Sequence, residues 1–144
     1  MNFQYQLVFL LKRIYWFLFR PRTYGVKCVL VDNGKILMIR RSFGSDKWVF
    51  PGGVIKVGES PNDAVRREIK EDLGIVLEEL HDLGDFTQSI YHRRETIRCF
   101  TSVGPFNTVG PDKEKIKEIR WFEVAHLPSL TPVSTSVMSL YKAR

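Results

Sequence analysis

Between residues 59 and 72 the chain places Glu59, Asp63, Glu68, Glu71 and Asp72, although its net charge as a whole is +6. A basic chain that concentrates acids in this way builds a local negative site, and such a site suits a cation. Glu68, Glu71 and Asp72 are separated by three and four residues, which sets their side chains side by side on one helix face. Three like charges there repel unless cations neutralise them, and carboxylate oxygens are the ligands that hard Mg²⁺ or Mn²⁺ prefers. From the helix alone, a solvated acidic face paired with Arg66, Arg67 and Lys70 explains the pattern equally well. The preceding residues favour the cation. Gly52-Gly53 ends an apolar run and Gly58-Glu59 enters the helix, so backbone N–H groups and a further carboxylate reach the same place. A phosphate could meet amides and metal together there.

The elements that must hold these residues read as follows. Ser60 can cap a helix, Pro61 suits its first position, and Asp63 can return a bond to the cap. Ala64, Val65, Ile69 and Leu73 form an apolar stripe at helical spacing, and Gly74 supplies the left-handed residue that closes it, which predicts a helix over 60–73. Upstream, residues 24–31 are rich in β-branched side chains and read as a strand, Asp32-Asn33-Gly34 as a tight turn, and 35–41 as the return strand. Trp48-Val49-Phe50 reads as a third short strand that stops at Pro51-Gly52-Gly53. Beyond the helix, 77–89 and 96–103 read as strands around a polar turn at His92-Arg93-Arg94-Glu95. Residues 118–123 read as another strand and 134–142 as a terminal helix. Mixed strands with few helices predict an α+β domain.

At 144 residues, with 44% apolar and 26% charged side chains, the chain can bury one core without disulfides or a structural metal. Cys28 and Cys99, the only cysteines, lie in apolar runs and read as small buried hydrophobes. With no recognisable secretory cleavage pattern, a cytoplasmic location is expected. His81, His92 and His126 are not spaced as a metal set. The basic balance favours an anionic partner, whether nucleotide, nucleic acid or acidic membrane, without choosing among them.

Residues 1–22 form a separate apolar and basic segment before a domain at 23–144. Lys12 and Arg13 in its middle exclude a transmembrane span. It reads as a helix docked on the domain or on a second copy in a homodimer, and peripheral membrane contact through residues 1–20 is the competing reading. Disorder is the third. Pro21 is expected to end the segment.

Gly53, five residues to Glu59, and seven more to Arg67-Glu68-Ile69-Lys70-Glu71-Asp72-Leu73-Gly74-Ile75 together resemble the Nudix box, a strand-loop-helix signature of nucleoside diphosphate-linked hydrolases. Six positions are identical, Ile69 and Ile75 fill its two aliphatic positions, and Asp72 stands where the family has Glu. The likeness extends from Tyr24 to about Pro128. It implies an α/β/α sandwich around a mixed sheet, to which the N-terminal helical segment is additional.

The resemblance further implies that Glu68, Glu71 and Asp72 bind metal, with Glu59 supporting them and Gly53 offering a backbone carbonyl, while Arg67 orients the carboxylates. Water would attack phosphorus with Mg²⁺ or Mn²⁺ as cofactor, and Glu68, Arg67 and Glu71 would carry catalysis. Glu68 is the first choice of base, and Glu114, in the loop 112–118, is the alternative. Gly52, Gly53, Arg94 and Glu114 are the candidate substrate contacts. Asp72 is one methylene shorter than Glu, which puts one ligand position in question. The expected activity is pyrophosphohydrolysis of a small nucleotide diphosphate derivative, with RNA as a further candidate substrate. The alternative is a non-catalytic nucleotide- or RNA-binding module of the same fold.

Overall fold

The computed structural model describes residues 2–19, 22–106 and 109–144. The expected stop at Pro21 lies outside the described residues. A helix α1 (Phe3–Phe19) precedes strands β1 (Arg22–Asp32) and β2 (Lys35–Arg41), joined by a two-residue turn. Asn33 and Gly34 have φ of 54° and 75°, the paired left-handed conformation that matches strand twist in tight hairpins. After β3 (Gly52–Val54) come α2 (Pro61–Leu73), β4 (His81–Ile90), β5 (Arg93–Val103), β6 (Ile116–Glu123), a 3₁₀ turn (Val124–His126) and α3 (Pro132–Lys142).

The sheet runs in the order β4-β5-β1-β2-β6, with β3 paired to β1. β1 and β5 are parallel and the remaining pairs antiparallel. On one face Val26, Cys28, Leu30, Leu37 and Ile39 pack with Ala64, Val65, Ile69 and Leu73 of α2. On the other, Val29, Ile36, Met38, Phe50 and Cys99 pack with Val137, Met138 and Tyr141 of α3. This is the expected α/β/α sandwich on a mixed sheet, because the period-two strands present apolar side chains to both sides and each helix covers one of them.

α2 follows its local signals. Ser60 Oγ accepts from the Asp63 N–H at 3.1 Å, and Gly74 closes the helix at φ 68°. Its apolar stripe is fully buried, each larger side chain contributing roughly 1.5–3 kcal/mol.

Three strands differ from expectation. β3 is Gly52–Val54, while Val49 makes only an isolated bridge to Ile39. β1 and β2 are paired directly only beside their turn, at Val31↔Ile36 and Asp32↔Lys35, so they splay apart, and Gly52-Gly53 fills the gap against Val26 and Lys27. A Cβ on Gly52 would stand 2.0 Å from the Val26 carbonyl oxygen, so only glycine lets the backbones approach this closely. β4 begins at His81, four residues later than expected. The run before it buries Ile75 and Leu77 without joining the sheet. The β4–β5 turn is Tyr91-His92, both at positive φ, so Arg93, Arg94 and Glu95 belong to β5.

Gly52→Ala is expected to cost about 3 kcal/mol or more, because backbone must shift. Gly58→Ala, at φ 80° with nothing within 4 Å, should cost only about 1 kcal/mol. Urea denaturation of the two variants checks this order.

Candidate active site

Arg67, on the first turns of α2, gathers acids from two elements. Its Nε and Nη2 donate to the two Glu59 carboxylate oxygens at 2.8 and 2.9 Å, a bidentate pair. Its Nη1 donates to Glu68 Oε1 at 2.8 Å and reaches Glu71 Oε2 at 3.5 Å. Nη2 also donates to the Val54 carbonyl at 3.0 Å, which ties the cluster to β3. Glu59 receives in addition the Lys56 N–H. The Arg67 bonds, and then this amide, hold the Glu59 carboxyl down to about 2, against an ordinary 4.5. The Arg67 guanidinium is correspondingly pushed up, Glu59 first among the causes.

Glu68 turns back over the glycines. A Cβ on Gly53 would lie 2.3 Å from the Glu68 carboxyl carbon. Gly53 is therefore the space in which that carboxylate rests.

Asp72 is placed apart from this group. It is 2% exposed and pairs with Arg41 Nη1 at 3.2 Å, with Lys115 Nζ at 3.9 Å from its other oxygen. Arg41 Nη2 meanwhile donates to the Gly52 carbonyl at 2.7 Å. The carbonyl brought to Asp72 through a shared cation is thus that of Gly52, and the Gly53 oxygen lies toward Gly25. Among the described residues, no three of these acids close on one point. The glutamates are held by Arg67 and the aspartate by Arg41.

Arg41 is one residue that sequence reasoning missed. The signal was its register: Leu37 and Ile39 face the α2 side of the sheet, and Arg41 continues that alternation. A cation at a core-facing position needs an acid partner, which Asp72 provides. Lys27 is a second omission. Half-buried in β1 beside Gly52, it donates to the Phe50 carbonyl at 3.1 Å. Burial, then the neighbouring Arg41, brings its ammonium down to about 8.

The loop after β5 is fastened to the end of α2, Gly110 N–H donating to the Leu73 carbonyl and Asp112 N–H to that of Asp72. Glu114 is exposed in the turn that follows, where its N–H donates to Asp112 Oδ1. Arg94 is exposed at the β4–β5 tip, lining a shallow cleft with Ser89, His92 and Arg93. Neither joins the Arg67 cluster.

The donors assembled here suit a hard divalent cation. All are oxygens, and one guanidinium already spans Gly52 O and Asp72 Oδ2, so two ligand atoms face a common positive charge. The four carboxylates are matched by Arg67, Arg41 and Lys115 and by the Lys27 ammonium, which lies near Glu68 and Arg41.

Comparison with known proteins identifies the domain. A family model described as NUDIX domain matches residues 21–141. An RNA pyrophosphohydrolase of Saccharophagus degradans is 42% identical over 67 residues, covering 46% of this chain and 38% of that protein. The NAD-capped RNA hydrolase NudC of Vibrio atlanticus is 28% identical over 122 residues, covering 83% of this chain and 45% of that protein. The chain thus spans less than half the length of these two relatives. A MutT NUDIX hydrolase structure from Burkholderia pseudomallei superposes with a TM-score of 0.76 at 24% identity, over 83% of this chain and 97% of that one.

Two titrations test the electrostatics. Glu59's contribution to stability is expected to be complete above pH 4.5 and lost as pH falls through about 2. Carboxyl-carbon NMR of wild type and Arg67→Gln should show that midpoint moving up toward the ordinary range in the variant. For Lys27 the sign is opposite. Between about 8 and 10.5 the unfolded chain binds the extra proton, so stability rises with pH through that window. Lys27→Met should remove the rise and stabilise the protein at pH 7 by roughly 2 kcal/mol, read from urea denaturation at several pH values.

Proposed function

The chain belongs to the NUDIX domain family, and on that premise we propose that it is a pyrophosphohydrolase dependent on Mg²⁺ or Mn²⁺. Its substrate is a nucleoside diphosphate linked to another group. The observation that carries this reading is the Arg67 cluster, in which one guanidinium holds Glu59, Glu68 and Glu71 beside the Gly52-Gly53 backbone.

Glu68, Glu71 and Glu59, with the Gly52 or Gly53 carbonyl, would hold the cation, and Asp72 would join them once its pair with Arg41 opens. When bound, the ion neutralises charge on phosphate oxygens and lowers the pKa of the attacking water. Arg67 fixes the carboxylate rotamers so that they need not reorganise during the reaction. The water oxygen bonds to phosphorus, the bond to the bridging oxygen breaks, and the leaving phosphate departs with that oxygen. Glu68 takes the water's proton. Its Oε1 accepts from Arg67, so Oε2 is the atom available as base. Glu114 is the weaker choice because it is exposed on a turn outside the cluster.

The substrate class favoured is the 5′ end of an RNA or a free nucleotide carrying the same diphosphate, since the two relatives described above are named for RNA hydrolysis. A cleft of about 450 Å³ lined by Ser42, Lys113, Ile116 and Ile119 adjoins Arg41 and can take the part beyond the phosphates. Exposed Arg94, in its basic cleft, is assigned to a phosphate further along the substrate.

The test is turnover of 5′-triphosphorylated RNA, NAD-capped RNA, nucleoside triphosphates, ADP-ribose, dinucleoside polyphosphates and nucleotide sugars, with Mg²⁺, with Mn²⁺ and with chelator. At least one substrate should be cleaved only with metal. Glu68→Gln should lower kcat about 100-fold or more, and Glu71→Gln should weaken metal affinity about tenfold or more. Binding of these nucleotides with no metal-dependent turnover would establish the non-catalytic module instead.

A further inference from the structure

α1 is 17 residues long, FQYQLVFLLKRIYWFLF, with no acid and no buried residue. One of its faces is spoken for. Tyr5 stacks on Phe43, Phe9 meets the Tyr91 ring edge-on at 5.4 Å, and Trp16 stacks on Tyr91. Phe17 meets His92, Arg13 lies 4.7 Å over Tyr91, and Arg93 lies 4.4 Å over Trp16. These contacts seat the helix on the β4–β5 tip and on the loop after β2.

The opposite face is exposed. At 100° per residue, Phe3, Leu7, Leu10, Leu11, Ile14 and Leu18 fall on a single ridge turned away from the domain. Their exposures run from 45% for Leu7 to 76% for Phe3. A continuous apolar ridge of this kind on a surface marks an interaction site. No helix among the described residues is long and apolar enough to cross a membrane.

We propose that this ridge inserts into the interface of an anionic lipid bilayer, so that α1 lies in the membrane plane with the catalytic domain held at its surface. Charge selects the occupant. Arg13 is drawn over Tyr91, and exposed Lys12, on the flank of the docked side, is the cation whose long stem can reach headgroups while the ridge is immersed. With no Asp or Glu anywhere in the helix, nothing on it repels anionic headgroups, and its charge complements a negative lipid surface. From Leu7 to Leu18 the ridge carries no hydrogen-bonding side chain. Acyl chains require none.

The inference is independent of the hydrolytic reading and is tested by co-sedimentation of the full-length protein with vesicles of phosphatidylcholine alone or with phosphatidylglycerol added. The protein should bind the anionic vesicles at least about tenfold more tightly, and less tightly as salt rises. Lys12→Gln should weaken binding about fivefold. Leu7→Glu/Ile14→Glu should abolish it while leaving the circular dichroism spectrum and the turnover of a soluble nucleotide unchanged, since both side chains lie on the exposed ridge. Failure of wild type to bind, equal binding to both vesicle types, or undiminished binding by the double variant would each overturn the proposal. A dimer in sedimentation equilibrium that the double variant dissociates, without vesicle binding, would assign the ridge to a second copy.

Discussion

The Arg67 guanidinium is the interaction on which the site depends. Glu59, Glu68 and Glu71 cannot crowd together without a counter-charge, and Arg67 supplies it to all three at once. The same group grips β3 through the Val54 carbonyl, so the charge arrangement and the placement of the loop before α2 are set by one side chain. A lysine could not do this. The planar fork makes a bidentate pair with Glu59 and still has donors for Glu68 and Val54, whereas an ammonium is a point charge.

The second constraint is steric, and it comes from the parting of β1 and β2. That gap admits Gly52-Gly53 between strands, and the missing side chains perform two separate tasks. At Gly52 the absence of a Cβ lets backbone approach backbone; at Gly53 it makes room for the Glu68 carboxylate. Fold and chemistry thus meet at two adjacent residues for different physical reasons. The sheet could not close with a side chain at the first, and the catalytic candidate could not sit where it does with one at the second.

How much of this was legible beforehand follows from the range of the interactions. α2 was legible to its caps, because Ser60, Pro61 and Gly74 act within a few residues of themselves. The sandwich was legible too, from alternation and from the resemblance of residues 53–75. β3 was misplaced because its pairing depends on Val26, far away in sequence, and because Trp48, Val49 and Phe50 look like a better strand than two glycines do. The run before His81 was mistaken for strand because burial alone gives the same apolar signature as pairing. Asp72 was grouped with Glu68 and Glu71 by helical spacing, yet its partner, Arg41, lies 31 residues away on a strand. Helical periodicity says which residues share a face, but not which of them a distant cation will draw aside.

The clasp between the loop at 110–112 and the end of α2 has a mechanical consequence. Gly110 and Asp112 donate to the last carbonyls of the helix, satisfying acceptors that a helix terminus otherwise leaves to water. Asp72 therefore belongs to two elements, its carboxylate facing Arg41 while its own carbonyl anchors the loop. Any strain imposed on that loop by something lodged in the neighbouring cleft is transmitted to the carboxylate through one residue's backbone, without passing through the hydrophobic interior.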